Sequence, residues 1–529
     1  MSPRQLPLDA AQGTFSAAPP WLIDPSAISW LRGLDQVRTR TRQAVPALVR
    51  GSRRPPIGRL VVTVWRLGGA IALWWLLDRR GADRSQRRHR LAVRLRGAME
   101  ALGPTYVKLA QIISAGEGLF PDELVSEFSL CRDRVTPEPF DLVEATLRRE
   151  LGRDPSEIFA SIETTPIAAA SIAQVHGARL VTGEDVVVKV QRSTVGTLVG
   201  RDLRVMAWLA PMLVGRIPVS ALANPPALVE LFAETITEEL DFRLEAQNLL
   251  DVARVLRRLE QDDWVVPRPH PDLVSPRMLV MERVEGFAFT DVEGMQAEGI
   301  DTHAVVRNVM VAFLESCTLH GVFHGDFHGG NLFVQPDGRV ALLDFGITGR
   351  MNEPQRRAFV RLMMTATVND VKGQLGALAE LGALPLDADL DAIISDLGLD
   401  GPPVDPTTLS QEELLAEMQR VVKALLGYGA RMPKPLMLFV KNLIFLSSMI
   451  GHLAPDIDLI AEVQHIALHF AMTHGERLAA DSGLDVAAPD DIDLDGFKAS
   501  LGLEPEVEHL TWSELRERRE IIVRRMGGG

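Results

Sequence analysis

The sequence predicts an α+β fold with two lobes, preceded by a basic helical extension. Helical periodicity dominates both ends of the chain, whereas short β-branched runs separated by turn sequences lie in its middle. The 529 residues are 46% apolar and 24% charged, which is typical of a globular protein. Two cysteines, Cys131 and Cys317, form no CxxC pair, so a disulfide framework is disfavoured and a reducing compartment is expected.

The charge is distributed unevenly along the chain. Residues 1–100 contain 18 arginines, no lysine and 6 acidic residues, a net charge of +12. The total of −14 therefore leaves −26 for the remaining 429 residues. A basic segment on an acidic body is typical of a protein that contacts an anionic surface. No zinc-finger, RNP or helix-turn-helix pattern indicates a nucleic acid partner, so we expect an anionic membrane surface instead.

We expect residues 1–45 to be a mostly disordered basic segment and residues 46–90 to associate with a membrane. Residues 60–77 form an apolar run of 18 residues that contains Arg66 and has arginines on both flanks, unlike a typical spanning helix. Its tryptophans suit the headgroup boundary. An interfacial helix is favoured, a helix packed on the body comes second and a true span third. The protein is then peripheral on the inner face of the cytoplasmic membrane.

Four further parts follow along the chain. They are a helical segment at 91–150, a first lobe at 151–285 with a helical insertion, a second lobe at 286–475, and an acidic tail at 476–529 with a terminal helix. Helical periodicity runs through 91–114, about 226–258, and 303–320, where Gly321 ends the helix. The turn sequence at 335–338 predicts a β-hairpin. No apolar run of about 20 residues is expected after residue 352, which disfavours a C-terminal membrane anchor.

Three side chains between residues 326 and 344 have the chemistry that phosphoryl transfer needs. Asn331 follows Asp326 by five positions, and Asp344 opens an Asp-Phe-Gly tripeptide thirteen residues later. Protein kinases use this order of loop, hairpin and Asp-Phe-Gly, with one carboxylate near the attacking oxygen and an amide and a second carboxylate on Mg²⁺. The spacing predicts a protein-kinase-like fold in which Asp326 is catalytic and Asn331 and Asp344 bind Mg²⁺. A zinc site at His324, Asp326 and His328 is a weaker alternative.

Lys189 lies in a run of valines that predicts a β-strand, where it would bind nucleotide phosphates as a catalytic lysine. A cation in such a strand needs an anionic partner. On a continuous helix, Glu238, Asp241 and Glu245 share one face and Glu239 is turned away. The sequence leaves the partner open, and we favour Glu245.

Small residues precede that strand where a kinase has a glycine-rich phosphate loop: Ala168, Ala169, Ala170 and Ser171. Because alanine disfavours positive φ, we expect a stiffer loop that covers the nucleotide phosphates differently. A turn at 182–185 then leads into the strand of Lys189. The adenine is expected against residues 278–284, with hinge hydrogen bonds from the backbone of Glu282 and Val284.

These motifs in this order resemble the UbiB/AarF family of atypical kinase-like proteins, which includes the eukaryotic ADCK proteins. The resemblance is strong over about residues 90–350 and weakens to about residue 455. Its marks are AAASIAQVH, VVVKVQR, the ExD pair Glu239 and Asp241, HGDFHGGN, Asp-Phe-Gly and the KxGQ-type segment Lys108-Leu109-Ala110-Gln111. Ala110 replaces the glycine of the family.

The resemblance implies that the helix face carrying Lys108 and Gln111 lies over the pocket where a protein substrate would bind, with Lys108 near Glu239 and Asp241. We expect the N-terminal extension to pack over the nucleotide site and to gate it. It also implies binding of ATP or ADP with Mg²⁺. The expected activity is that of an ATPase or a small-molecule or lipid kinase that supports isoprenoid (ubiquinone-type) quinone biosynthesis at a membrane. A quinone precursor and other quinone-biosynthesis proteins are the expected partners.

Two alternatives to this activity are retained. A nucleotide-sensing scaffold of a quinone-biosynthesis complex would bind nucleotide without turnover. A protein kinase acting in trans is least favoured, because Gly325 replaces the arginine that meets a phosphorylated activation loop. Only a few residues also separate Gly346 from the next predicted helix, which leaves no long loop to bind a peptide.

Overall fold

The structure, a computed structural model, describes residues 13–16, 20–49, 55–78, 84–114, 121–132, 136–213, 225–368, 370–399, 424, 427–483, 498 and 507–518. The chain divides into two compact units. The first comprises Met1–Arg257, Val265–Glu285 and Leu343–Ile347. The second comprises Arg258–Trp264, Gly286–Leu342 and Thr348–Gly529. Both units combine helices with antiparallel strands, which confirms the predicted α+β class.

The first unit begins with helices and continues into a sheet. Its helices are α1 (Leu34–Val49), α2 (Ile57–Leu73), α3 (Arg84–Leu102), α4 (Pro104–Ser114), α5 (Asp122–Ser129), α6 (Phe140–Leu151), α7 (Val195–Leu213), α8 (Pro225–Glu239) and α9 (Phe242–Arg258). Its strands are β1 (Phe159–Ile162), β2 (Ala168–Ala169), β3 (Ala173–Leu180), β4 (Asp185–Gln191), β6 (Pro269–Ser275) and β7 (Met278–Glu282), and β5 (Trp264–Val265) lies at the boundary of the units.

The basic extension contains more regular structure than we predicted. Helix α1 begins inside the segment expected to be mostly disordered and runs four residues past its end, and its Leu34 and Val45 are buried. Residues 1–12 and 17–19 of that segment lie outside the described residues. The helix predicted at 91–114 is divided into α3 and α4, because Gly103 adopts a φ of +100° and Pro104 has no N–H to continue the helix.

Helix α2 and the π-helical turn Trp74–Asp78 that continues it have one packed side and one exposed side. The packed side lies against α3 and α7, and the hydroxyl of Thr63 is 2.9 Å from the hydroxyl of Tyr106 on α4. Burial raises the pKa of Tyr106 to about 12. The exposed apolar side chains are Ile57, Val61, Val62, Val64, Trp65, Ile71, Leu73, Trp75, Leu76 and Leu77. The segment thus combines features of the interfacial helix and the packed helix that we predicted.

The main sheet of the first unit places Lys189 on a defined face. Its strands are antiparallel in the order β1-β3-β4-β7-β6, with β2 paired to β3. The predicted turn between β3 and β4 is confirmed, with Gly183 at a φ of +108°. Val186, Val188 and Val190 of β4 are buried in the hydrophobic core. Since side chains alternate along a strand, Lys189 points to the opposite face.

The second unit contains short strands between helices. Its helices are α10 (Val292–Ala297), α11 (Thr302–Glu315), α12 (Glu353–Thr367), α13 (Val371–Glu380), α14 (Leu390–Leu397), α15 (Lys434–Leu453) and α16 (Leu459–Ser482). Its strands are β8 (Phe287–Ala288), β9 (Val322–His324), β10 (Leu332–Val334), β11 (Val340–Leu342) and β12 (Thr348–Arg350). The predicted β10–β11 hairpin is confirmed, β10 also pairs with β8, and β9 pairs with β12. Helix α16 extends seven residues into the segment predicted as the tail.

The helix predicted at 303–320 is confirmed, but its last turn changes geometry. After Glu315, the end of α11, the chain continues as a π-helix over Ser316–His320. Gly321 then ends it with a φ of +63°, as predicted.

Two helices among the described residues are long and apolar enough to span a membrane. They are Ile57–Asp78, with 22 residues, and Lys434–Leu453, with 20 residues. The second overturns the expectation that no apolar run of about 20 residues follows residue 352. Leu438, Phe439, Met449 and other residues of α15 are buried, and the helix packs on α11. Burial within the second unit therefore accounts for part of its apolar composition, although Val440 and Leu443 are exposed.

A buried ion pair attaches the apolar helix α2 to α7. The Nε of Arg59 is 2.5 Å from Oδ1 of Asp202, whose side chain is fully buried. We expect Arg59→Met to lower stability by about 3 kcal/mol, because it leaves Asp202 as an unpaired buried carboxylate. The thermal midpoint of the full chain should fall by roughly 5–10 °C.

Arg66→Met is the matched control for this prediction, because Arg66 is an exposed residue of the same helix. Its thermal midpoint should stay close to that of the wild type. Equal midpoints for the two variants would contradict a structural role for the ion pair.

Candidate functional site

The ammonium group of Lys189 lies between two carboxylates in the first unit. Its Nζ is 2.7 Å from Oε1 of Glu245 on α9 and 2.9 Å from Oδ1 of Asp344. The ring of Phe242 lies 5.6 Å from the same nitrogen. Of the acids proposed as partners from the sequence, Glu245 is the one that contacts this lysine.

Burial and the charge of the bonded partners shift the pKa values of Lys189 and Glu245 in opposite directions. Burial acts to lower the pKa of Lys189, but the carboxylates of Asp344 and Glu245 raise it above its ordinary value, so the lysine stays cationic. Burial raises the pKa of Glu245 to about 7 even though Lys189 acts to lower it. Lys189 and Glu245 are both buried, whereas the side chain of Asp344 is 43% exposed. Asp344 is therefore the member of the cluster that a ligand can reach.

The Asp-Phe-Gly tripeptide is held in a strained backbone conformation. Asp344 has a φ of +53°, which is unusual for a residue with a side chain. Its Oδ1 accepts a hydrogen bond from the N–H of Gly346 at 3.2 Å. Phe345 is fully buried, and its carbonyl accepts a hydrogen bond of 2.8 Å from Asn248 of α9. Strain of this kind clusters at functional sites, where the surrounding contacts maintain it.

The long helix predicted at 226–258 is broken at Leu240 and Asp241, so the shared face that we predicted for three of its acids is wrong. The N–H of Phe242 bonds to the carbonyl of Pro276, at the turn between β6 and β7. Asp241 accepts a hydrogen bond of 3.1 Å from the N–H of Arg243 and so caps α9. The break depends on this hydrogen bond between Phe242 and Pro276, which are 34 residues apart. Helical periodicity is a local pattern and carries no information about such a contact.

Each acid at the break has its own cation. Glu245 contacts Lys189, and Glu238 is 2.9 Å from Arg42 of α1. Asp241 pairs with Arg243. Oε1 of Glu239 is 2.9 Å from Nζ of Lys108 on α4.

The KxGQ-type helix α4 is therefore tied to the ExD pair through Glu239, as the resemblance implied for Lys108. Gln111, on the same face, donates a long hydrogen bond of 3.5 Å to the carbonyl of Cys131. Ala110, which replaces the family glycine, is fully buried.

The alanine-rich segment forms a short hairpin rather than an open loop. Ala168 and Ala169 form β2, opposite Val175 and Gln174 of β3. The N–H of Ala170 donates to the carbonyl of Ala173 at 2.9 Å.

The side chain of Arg192 clamps this hairpin by donating to the carbonyl of Ala170 at 3.0 Å. Ser171 is buried. The N–H of Ala170 is therefore engaged within the hairpin. The role of Ala168, Ala169, Ala170 and Ser171 in covering the nucleotide phosphates stays a prediction.

The hinge strand is supported from the N-terminal segment. The N–H of Glu282 donates to the carbonyl of Arg268 at 2.9 Å, so this N–H is engaged within the protein. The hinge hydrogen bonds expected from the backbone of Glu282 and Val284 stay a prediction. The buried side chain of Glu282 pairs with Arg268 at 3.1 Å and accepts a hydrogen bond from the hydroxyl of Ser16. Val284 follows β7 and is partly buried.

In the second unit, Asp326 and Asn331 belong to one loop after β9. Nδ2 of Asn331 donates to the backbone carbonyl of Asp326 at 3.1 Å, which leaves the amide oxygen of Asn331 as the group for a metal. The carboxylate of Asp326 contacts Nζ of Lys441 on α15.

Asn442, the next residue of α15, holds the loop of Asp326 in place through two hydrogen bonds. Its Oδ1 accepts from the N–H of Phe327 at 3.0 Å, and its Nδ2 donates to the carbonyl of His324 at 2.5 Å. The sequence analysis missed Lys441 and Asn442. Two adjacent polar residues in the middle of an apolar helix were the signal, because such groups need partners when they are buried.

The two histidines of the loop bond to its backbone. Nδ1 of His324 accepts from the N–H of Asp326 at 3.2 Å, and Nδ1 of His328 accepts from the N–H of Gly330 at 3.0 Å. Within the described part of the chain, these side chains do not form a group that could hold a metal ion. The structure therefore gives no support to the zinc alternative.

The predicted site residues thus fall into two sets. Lys189, Glu245 and Asp344 come together in the first unit, together with the ion pair of Lys108 and Glu239. Asp326 and Asn331 come together in the second unit. The metal-binding role of Asn331 and Asp344 stays a prediction.

The comparisons with known proteins agree on one family. A family model described as the ABC1 atypical kinase-like domain matches residues 130–376. An uncharacterised protein of Mycobacterium tuberculosis is 34% identical over 366 residues, which are 69% of this chain and 75% of that protein. An uncharacterised chloroplastic aarF domain-containing protein kinase of Arabidopsis thaliana is 31% identical over 396 residues, 70% of this chain and 73% of the relative. A probable protein kinase UbiB of Vibrio parahaemolyticus is 28% identical over 374 residues, 70% and 68% of the two chains.

The contacts of Asn442 generate a prediction about the loop of Asp326. We expect Asn442→Ala to destabilise the protein by roughly 2–4 kcal/mol, because it leaves the N–H of Phe327 and the carbonyl of His324 without their partner. The thermal midpoint of the full chain measures the effect.

Asn308→Ala is the matched control, since Asn308 makes an exposed side-chain contact to Asp263 on the surface of the same unit. It should shift the midpoint by far less than Asn442→Ala. A midpoint for Asn442→Ala that equals the control would show that α15 does not support the loop.

Proposed function

Because the chain belongs to the ABC1 (UbiB/AarF) family of atypical kinase-like proteins, we propose that it is an ATP-dependent phosphotransferase or ATPase. The observation that carries this proposal is the buried Lys189 between Glu245 and Asp344. A strand lysine held by a helix glutamate, beside the aspartate of Asp-Phe-Gly, is the arrangement with which kinases bind nucleotide phosphates.

The donor chemistry of the described residues fits a magnesium nucleotide. Mg²⁺ prefers hard oxygen ligands. The half-exposed carboxylate of Asp344 and the amide oxygen of Asn331 are such ligands, and we assign them to Mg²⁺. When bound, Mg²⁺ would neutralise charge on the phosphates. Lys189 would hold the phosphates, and the backbone of Glu282 and Val284 would orient the adenine.

Asp326 is the proposed group that orients the attacking hydroxyl or water and accepts its proton. Lys441 balances the charge of this carboxylate, and Asn442 fixes the backbone on both sides of it. Both supports come from α15, so the position of Asp326 depends on the C-terminal helices of the same unit.

We assign a gating role to α4. Its Lys108 binds Glu239, and the next acid along the chain, Asp241, caps α9, the helix that supplies Glu245. Movement of α4 would therefore shift Glu239 and, with it, the break between α8 and α9. Gln111 lies on the same face and would contact whatever approaches α4 from that side.

The physiological role that we propose is support of isoprenoid quinone biosynthesis at a membrane, with a quinone precursor as the small-molecule or lipid substrate. The family resemblance supports the quinone role, and relatives bear the name UbiB. The exposed apolar side of α2 and of the π-helical turn after it, which carries Trp65 and Trp75, supports contact with a bilayer surface. Arginines follow on α3, which favours anionic lipids.

ATP hydrolysis by the purified full chain tests the enzymatic proposal. The wild type, assayed with Mg²⁺ and vesicles containing anionic lipids, should hydrolyse ATP. Asp326→Asn and Asp344→Asn should each lower the rate by about 100-fold or more, because one removes the proton acceptor and the other a metal ligand. Vesicles of zwitterionic lipid alone should stimulate the wild type less.

Asp337→Asn is the control variant, since Asp337 is an exposed turn residue of the β10–β11 hairpin. It should retain the wild-type rate. Tight binding of Mg-ATP without turnover in the wild type would favour the scaffold role instead, and transfer of phosphate to a protein would favour a protein kinase. Equal rates for Asp326→Asn, Asp344→Asn and the control would refute the assigned roles.

A further inference from the structure

A second cluster of ligand-type side chains lies in the second unit, and the proposed phosphotransfer does not use it. Glu315 ends α11, and His469 and His474 lie on α16. One ligand atom of each lies within 4.8 Å of the others. Nε2 of His469 is 2.7 Å and Nε2 of His474 is 2.8 Å from the same carboxylate oxygen, Oε1 of Glu315.

We propose that Glu315, His469 and His474 bind a borderline transition-metal dication such as Zn²⁺. Two imidazole nitrogens and one carboxylate oxygen are a ligand set that such ions take in proteins, whereas Mg²⁺ and Ca²⁺ prefer oxygen alone. The site differs from the nucleotide site in its residues and in its ligand chemistry.

The distances suit an ion after a small rearrangement. Metal–ligand bonds of about 2.0–2.1 Å set neighbouring ligand atoms roughly 2.9–3.3 Å apart. The present separations from Glu315 to the two imidazoles are 2.7 Å and 2.8 Å. An ion therefore needs each imidazole nitrogen to move away from the carboxylate oxygen by about half an ångström. The two imidazole nitrogens, which lie within 4.8 Å of each other, have to take up a similar spacing.

The carboxylate of Glu315 has the fixed orientation and the negative charge that a metal ligand needs. Glu315 is almost fully buried, and its other oxygen, Oε2, accepts a hydrogen bond of 2.6 Å from Gln261. This second contact fixes the orientation of the carboxylate, as outer contacts do in metal sites. Burial acts to raise the pKa of Glu315, but hydrogen bonds from His474, His469 and Gln261 lower it overall, so the group is anionic near neutral pH.

The two imidazoles pack against each other and against one aromatic ring. Phe470 packs edge-on against both His469 and His474, with ring centroids 5.8 Å apart in each case. Phe470 also packs on the hydrophobic cluster that contains Leu319 and Leu478. The imidazoles are therefore kept in place from the interior of the unit.

The site is accessible, and the helix beside it is irregular. The side chain of His469 is 33% exposed and that of His474 is 17% exposed, so an ion can enter and keep open coordination positions. Directly after Glu315 the helix changes to the π-helical segment Ser316–His320. Such segments occur frequently at functional sites. A bound ion would cross-link α11 to α16.

Zinc binding by the full-length protein tests this proposal. After treatment with a chelator and its removal, the protein is titrated with Zn²⁺ alone in a calorimeter, without nucleotide. The wild type should bind one Zn²⁺ at this site. His469→Ala and His474→Ala should each weaken that binding by at least about tenfold, because each removes a ligand. Glu315→Gln, which keeps the shape of the side chain, should weaken it as well.

His465→Ala is the matched control, because His465 is an exposed histidine on the same helix. It should bind Zn²⁺ like the wild type. As a second measurement, Zn²⁺ should raise the thermal midpoint of the wild type and of His465→Ala but not of His469→Ala. His469 is the more exposed of the two ligands, so its variant keeps the test valid if His474→Ala does not fold.

Three results would overturn the proposal. The wild type could fail to bind Zn²⁺ at all, or His469→Ala and Glu315→Gln could bind it as tightly as the wild type. Binding in His465→Ala could also fall as far as in His469→Ala. In each case the cluster would be a hydrogen-bonded support for α11 and α16 without a metal.

Discussion

The first unit depends on one constraint, the need to pair the buried ammonium group of Lys189. An unpaired charge in such a place costs several kcal/mol, so the carboxylates of Glu245 and Asp344 have to be brought to it. This single requirement joins strand β4, helix α9 and the Asp-Phe-Gly segment. It also accounts for the backbone strain at Asp344, whose φ of +53° is maintained while its carboxylate contacts both Lys189 and the N–H of Gly346.

The acids around this cluster are separated by a break in the helix, and the break gives each of them a different task. Glu245 lies after it and binds Lys189, whereas Glu239 lies before it and binds Lys108 of α4. Asp241 lies within it and caps α9. On an unbroken helix Asp241 and Glu245 would share one face and could compete for Lys189. The break separates these two acids, so Lys189 keeps Glu245 as its partner while Glu239 contacts the N-terminal extension.

Motifs with short, local spacing could be predicted from the sequence, and long-range contacts could not. The β10–β11 hairpin and the end of the helix at Gly321 follow from turn residues and caps. The cost of an unpaired charge predicted an acidic partner for Lys189 but left its identity open, although Glu245 was the favoured choice. The break at Asp241 requires the carbonyl of Pro276, and the support of the Asp326 loop requires residues 115 positions away in sequence. Hydrophobic periodicity reports only local structure, so it could predict neither of these long-range contacts.

The C-terminal helices support elements that belong to the family domain. The matched region ends at residue 376, yet α15 holds the loop of Asp326 through Lys441 and Asn442. Helix α16 likewise contacts Glu315, seven residues before β9, through His469 and His474. The second unit therefore positions its chemical groups with helices that lie beyond the family match.

The affinity for Mg-ATP of a Lys189→Met variant tests the central claim most directly. Loss of a charged contact to the phosphates should weaken binding by at least about tenfold, which corresponds to roughly 1.4 kcal/mol. Lys372→Met, which alters an exposed lysine paired with Asp391, should bind like the wild type. If a folded Lys189→Met protein bound Mg-ATP as tightly as Lys372→Met, the buried cluster would not be a nucleotide site and the account would be contradicted.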